Sequence, residues 1–194
     1  MSKGRPKTFD EVDALDRAME TFWLHGYEAT SLSLLVGEMG ISRQSLYDTY
    51  GNKRQLFLRA IDHYRATRLV EGLDLLERPG SPVENVKALI HFFEAIAGDE
   101  RCRGCFVANT LVELGPHDAE VAAVLHGILS ALEGAIAASL EEARRTGELA
   151  PGKDPQELAS ALLNAIIGIA VTGKLARNRY SLPRILAGTL RMLD

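Results

Sequence analysis

Three short stretches carry side chains whose types and spacing could do chemistry. The first is Ser42-Arg43-Gln44-Ser45-Leu46-Tyr47, with Lys53 a little further on. An arginine fork matches guanine O6 and N7 and a glutamine amide matches adenine N6 and N7, so Arg43 and Gln44 at a helix start suit base edges in a major groove. Hydroxyls at Thr30 or Ser31, the Tyr47 phenol and the Lys53 ammonium suit phosphate oxygens, and Ser45 is small enough to let such a helix approach. The second stretch is Lys3-Gly4-Arg5-Pro6-Lys7, where proline holds Arg5 extended. That shape can enter a narrow minor groove, and a solvated basic tail has the same sequence. The third is Arg101-Cys102-Arg103-Gly104-Cys105-Phe106. Flanking arginines and a helix start at Cys105 would favour the thiolate, which reacts with oxidants and electrophiles, with Cys102 as a resolving thiol. The plainer alternative is Cys105 packed as a small hydrophobe beside an incidental Cys102. Adding His91, His117 or His126 to the two cysteines gives only half a zinc site, so neither a metal nor a cofactor is expected.

Helices must position these groups. The seven prolines fall between or at the starts of apolar-periodic stretches, leaving each stretch free to be a continuous helix. Thr8-Phe9-Asp10-Glu11 has the form of a capping box, and Val12, Leu15, Met19, Phe22 and Trp23 follow at helical spacing up to Gly26. Two short helices come next, one capped by Thr30 or Ser31 and stopped by Gly40, the other capped by Ser42 and stopped by Gly51. A longer helix is expected from Lys53 to about Glu77, then one opened by Ser81-Pro82-Val83-Glu84 and a short one from about Cys105 to Leu114. A long helix to Arg145, one capped by Asp154 and a last one starting at Ser181-Leu182-Pro183 complete the chain. No period-2 pattern runs beyond a few residues, so the fold expected is all-α with about nine helices. The helix from Leu158 to Val171 is apolar nearly all round, and the last helix adds Leu182, Ile185, Leu186, Leu190 and Leu193. One monomer cannot easily cover such a pair, whereas two chains can form a four-helix interface, so a homodimer through the two C-terminal helices is expected.

With 194 residues, 46% apolar and 25% charged, the composition is that of a globular protein with room for a core. The net charge of −4 is unevenly spread: residues 1–68 hold ten Lys/Arg against nine Asp/Glu, and residues 69–194 hold twelve against seventeen. A polyanion would therefore meet the N-terminal part. No apolar run reads as a membrane span and the basic N-terminus lacks an apolar segment after it, which places the chain in the cytoplasm without a membrane partner. Motifs such as G-x-S-x-G, a P-loop, G-x-G-x-x-G or H-E-x-x-H are absent from the sequence, so no enzyme is expected. A cytosolic thiol-redox protein, or a helical partner-binding protein without DNA, stays open as the alternative.

Helix, glycine turn, short helix is an arrangement shared by DNA readers and by plain αα-corners. Here the residues add a resemblance. Thr30-Ser31, Leu35-Val36, Met39-Gly40-Ile41-Ser42-Arg43-Gln44-Ser45-Leu46-Tyr47, Tyr50, Lys53 and Leu56-Phe57, preceded by Ala18, Phe22 and His25-Gly26-Tyr27, resemble the N-terminal module of the TetR family of transcriptional repressors over residues 7–62. Tyr50 stands where that family usually has phenylalanine, and Gly37 where a better helix former is usual. The resemblance implies a helix-turn-helix DNA-binding domain over residues 1–52 and a ligand-sensing and dimerisation domain over 53–194, the helix at about 53–77 connecting them. It implies a palindromic double-stranded DNA operator as partner and a small-molecule inducer that re-aims the two DNA heads. Candidate pocket residues are Phe92, Phe93, Phe106, Leu111, Leu125 and Leu129. The Gly104-Cys105 pair is similar to that of electrophile-responsive members, which makes Cys105 the first candidate sensor.

Overall fold

The computed structural model describes residues 9–97, 103–178 and 182–194, all helical or loop, without a strand among them. The chain divides into two compact units, Met1–Ala66 and Thr67–Asp194. Sequence reasoning put the division after residue 52; it falls later because the fourth helix packs on the first and belongs to their core.

The first unit holds α1 (Glu11–His25), α2 (Leu32–Met39), α3 (Arg43–Tyr50) and α4 (Lys53–Tyr64). Thr8 lies outside the described residues, and α1 is capped by Asp10, whose carboxylate accepts from the amides of Val12 and Asp13 at 2.8 and 3.1 Å. One carboxylate thus satisfies two orphan donors and complements the helix dipole. Ser31 caps α2, Ser42 caps α3, and Asn52 with Gln55 forms a reciprocal capping box on α4. Gly40 ends α2 at φ +67°, a left-handed position at which a side chain would be strained. The core is Ala18, Met19 and Phe22 of α1, Leu35 of α2, Leu46 of α3, and Leu56, Phe57, Ala60, Ile61 and Tyr64 of α4, all buried. Its aromatic rings meet edge to face, Phe22 on Phe57 at 4.9 Å and Trp23 on Tyr64 at 5.0 Å between centroids. Each such side chain contributes about 1.5–3 kcal/mol by leaving water.

The expected helix from 53 to about 77 exists, but it is not uniform. A π-helical turn, Arg65–Leu69, interrupts it between α4 and α5 (Val70–Leu76), so that the two segments count as one of nine helices among the described residues.

The second unit comprises α5, α6 (Pro82–Ala97), α7 (Phe106–Leu114), α8 (Ala119–Thr146), α9 (Pro155–Thr172) and α10 (Leu182–Leu190). Helices α6, α8 and α9 pack on one another around Val86, Leu89, Ile90, Leu125, Ile136, Leu140, Leu162 and Ile166. Asp154 caps α9 through the amides of Gln156 and Glu157, and Pro155 occupies its first turn, where a missing N–H costs nothing. Both α8 and α9 are long and apolar enough to cross a membrane by length and composition alone, and each is built into this bundle. Gly104 has φ +65°, and a Cβ there would stand 2.6 Å from the Ala170 carbonyl oxygen, so the chain entering α7 lies directly on the α9 backbone.

Candidate nucleic-acid interface

Helix α3 divides its residues cleanly. Leu46 and Tyr50 are buried, while Arg43, Gln44, Tyr47 and Asp48 are exposed and Ser45 is half-buried. The buried pair anchors the helix: the Tyr50 hydroxyl donates to the Glu11 carbonyl at 2.7 Å, and the Arg59 guanidinium donates to the Thr49 carbonyl at 3.0 Å while lying over the Tyr50 ring. Burial, with the Glu11 carboxylate adding to it, pushes the Tyr50 phenol up to about 12 although Arg59 opposes the shift. Tyr50 is thus a core residue. At the other end the Ser42 hydroxyl accepts from the Ser45 amide at 3.0 Å and meets the Ser45 hydroxyl at 2.9 Å, fixing the first turn that carries Arg43 and Gln44.

The phosphate candidates separate. Tyr47 is 42% exposed, with its phenol on the same face as Arg43 and Gln44. Ser31 is exposed, and its oxygen accepts from the Leu34 amide at 3.1 Å, which leaves its O–H to donate outward. Thr30 is corrected: it is fully buried and its hydroxyl donates to the Gly26 carbonyl, so it braces the α1–α2 loop and cannot reach a phosphate. Lys53 is half-buried, its ammonium 4.3 Å from the centre of the Tyr27 ring and 3.5 Å from the Glu28 carbonyl oxygen. This seat steadies a side chain that is otherwise costly to order, and the ammonium has three donors to distribute. Arg5 lies outside the described residues.

Two contacts escaped the sequence reading. Tyr27 is the seat of Lys53, for which no short-range pattern exists because the two residues belong to different elements. Asp48 accepts a hydrogen bond from the Gln44 amide nitrogen at 2.7 Å. Its signal was present, since Gln and Asp four apart on a helix pair in this way.

In the second unit Cys105 is the N-cap residue of α7, as expected, but it is only 6% exposed and its side chain makes no cap bond. It lines a wholly apolar cavity of about 20 Å3 together with Leu69, Phe93, Val107, Leu129 and Leu163 among others. That is room for about one water, in a lining that offers water no partner. Of the expected pocket residues Phe93 and Leu129 reach this cavity. Phe106 and Leu125 are buried but absent from its wall, and Cys102 and Arg101 lie outside the described residues. The surrounding side chains cover Cys105, the arrangement of the plainer alternative in which it packs as a small hydrophobe. Among the described residues no group of His, Cys, Asp or Glu is gathered as for a metal ion.

A capped short helix presenting Arg, Gln and Tyr outward, pinned behind to a three-helix core, defines a helix-turn-helix DNA-binding regulator. The comparisons agree. Residues 14–60 match the family of bacterial regulatory proteins of the tetR type, and residues 82–188 match the tetracyclin repressor-like C-terminal domain. The chain is 36% identical over 193 residues to the uncharacterized HTH-type transcriptional regulator YezE of Bacillus subtilis, covering 98% of this chain and 100% of that one. It is 34% identical to the HTH-type transcriptional repressor ComR of Escherichia coli, covering 98% and 92%. Among solved structures, a cysteine mutant of the TetR family regulator CifR in complex with a 26 bp double-strand operator superposes with TM-score 0.83 and 32% identity, over 97% and 98% of the two chains. The protein belongs to the TetR family of transcriptional regulators. Its relatives are regulators and not enzymes, which removes the thiol-redox alternative. The family binds DNA as dimers, and its members are in general soluble cytoplasmic proteins.

Proposed function

We propose that this chain is a homodimeric repressor that reads a palindromic operator and is released from it by a small apolar or thiol-reactive inducer. The observation that carries the reading is the outward face of α3, where Arg43 and Gln44 stand exposed in a first turn locked by Ser42. Arg43 and Gln44 read bases; Ser31, Tyr47 and Lys53 hold phosphates, and Ser45 permits close approach. The basic arm with Arg5 adds a minor-groove contact.

Dimerisation uses α9 and α10. Ala161, Asn164, Gly168 and Val171 of α9 and Leu175 of the 3-10 turn after it (Gly173–Asn178) recur at three- and four-residue spacing, with Val171 38% and Leu175 57% exposed. A Cβ at Gly168 would meet nothing within 4 Å among the described residues, so at this position the face is open. Small and apolar side chains at that spacing fit a four-helix seam between two copies. The inducer enters at the apolar cavity of Cys105 and Phe93, and its occupation requires the surrounding helices to part, because the space holds about one water. Addition of an electrophile to the Cys105 sulfur, with the thiol proton leaving as the S–C bond forms, would hold them apart.

Selection of genomic fragments with purified protein, followed by titration of the recovered site at several salt concentrations, tests the reading. A palindrome with a steep salt slope is expected. Loss of binding with a mild electrophile that Cys105→Ser prevents would support the sensor; unchanged binding would remove it. Weak, uniform binding without an enriched sequence would overturn the repressor reading.

A further inference from the structure

The hydrogen bond from the Gln44 amide to the Asp48 carboxylate lies on the exposed face of α3, where nothing in the core requires it. Both residues are exposed, so the bond adds little to stability. Its chemistry is directional. A carboxylate carries only acceptors at neutral pH, so the amide must turn its nitrogen, and not its oxygen, towards Asp48. Gln44 Nε2 has two hydrogens, one of which is committed at 2.7 Å. What remains for a ligand is one N–H and the carbonyl Oε1, which has no hydrogen-bond partner among the described residues.

We infer that Asp48 is a positioning residue that sets which purine Gln44 accepts, favouring adenine and rejecting guanine. This rests on the proposal above that Gln44 reads a base. Adenine offers one acceptor, N7, and one donor, N6–H, in the major groove, whereas guanine offers two acceptors, N7 and O6. A pinned amide, with one N–H and one oxygen to give, satisfies adenine completely. Against guanine it places Oε1 opposite O6 and has no second hydrogen for it. An unpinned glutamine can turn both of its N–H groups to guanine N7 and O6, so without Asp48 the choice between the purines weakens. The pin also fixes the side chain before DNA arrives, and a group already ordered loses less freedom on binding.

The test uses the full-length dimer and the operator recovered by selection from a random duplex library. Gln44→Ala first identifies the base pair at which preference is lost. Wild type is expected to favour adenine over guanine there by about 10–100-fold, the range of a good bidentate contact. Asp48→Ala should reduce that ratio to a few-fold, chiefly by raising affinity for guanine, and leave discrimination at the Arg43 position intact. Asp48→Asn keeps a side-chain oxygen that can accept the same bond and should retain most of the ratio. In the Gln44→Ala background, Asp48→Ala should change no base preference. An unaltered melting temperature confirms that each variant is folded. The inference is overturned if Asp48→Ala preserves the adenine preference, if Asp48→Asn loses it equally, which assigns the effect to charge, or if Asp48→Ala still shifts preference without Gln44, which makes Asp48 a base reader itself. Selection of no sequence by wild type would overturn the base-reading proposal and this inference together, whereas a clear operator with a silent Asp48 overturns this one alone.

Discussion

At the scale of the residue, base readers and phosphate contacts leave different signatures. Arg43→Ala should cost about 1–3 kcal/mol on the selected operator and relax specificity at one base position per half-site. Lys53→Ala should weaken binding to all sequences alike and reduce the slope of log affinity against log salt by about one. Titration of matched and scrambled duplexes at several salt concentrations separates the two patterns; identical behaviour of both variants would contradict the division of labour. Tyr50 supplies a second prediction. Its phenol is raised from 10.0 to about 12 in the folded protein, so below pH 10 both states are protonated and its contribution is intact. Between pH 10 and 12 the unfolded chain loses the proton first, and stability falls as pH rises. Comparing denaturant midpoints of wild type and Tyr50→Phe across that window should show a steeper decline for wild type, with parallel curves below it.

At the scale of the element, caps decide where α3 begins and so where its readers stand. Ser42→Ala removes the acceptor for the Ser45 amide and should cost about 1 kcal/mol in a denaturant titration. The loss in operator affinity should exceed what Arg43 and Gln44 lose through unfolding alone, because the frayed turn is the one that carries them. This cap was legible in the sequence, as were the stops at Gly40 and Gly51 and the helix order, because each depends on neighbours a few residues apart. Thr30 and Ser31 were not separable: two adjacent hydroxyls offer the same cap, and only the fold shows that one is consumed by Gly26 while the other faces outward. The burial of Cys105 was illegible for the same reason. Flanking arginines are visible in a sequence, but the lining from Phe93, Leu129 and Leu163 comes from three other helices. The π-turn at Arg65–Leu69 has no local residue pattern that announces it, since no proline or glycine marks it.

At the scale of the whole molecule, the seam proposed along α9 and the turn after it makes a dimer the expected unit on DNA. Val171→Asp with Leu175→Asp places two carboxylates where two copies are proposed to meet. The variant should sediment as a monomer, keep its helical signal, and lose most of its operator affinity by losing one of two half-sites; a dimer that survives would move the seam elsewhere. The partition within α3 has a last consequence. Leu46 and Tyr50 are buried in the core, and Arg43, Gln44, Tyr47 and Asp48 lie on the exposed side, so folding and the proposed reading fall largely to separate residues on one short segment. Exposed substitutions of that kind usually stay within about 0.5 kcal/mol. Address and scaffold can therefore drift independently: a duplicated copy of this gene could acquire a new genomic target through a handful of changes on one face, without passing through a form that fails to fold.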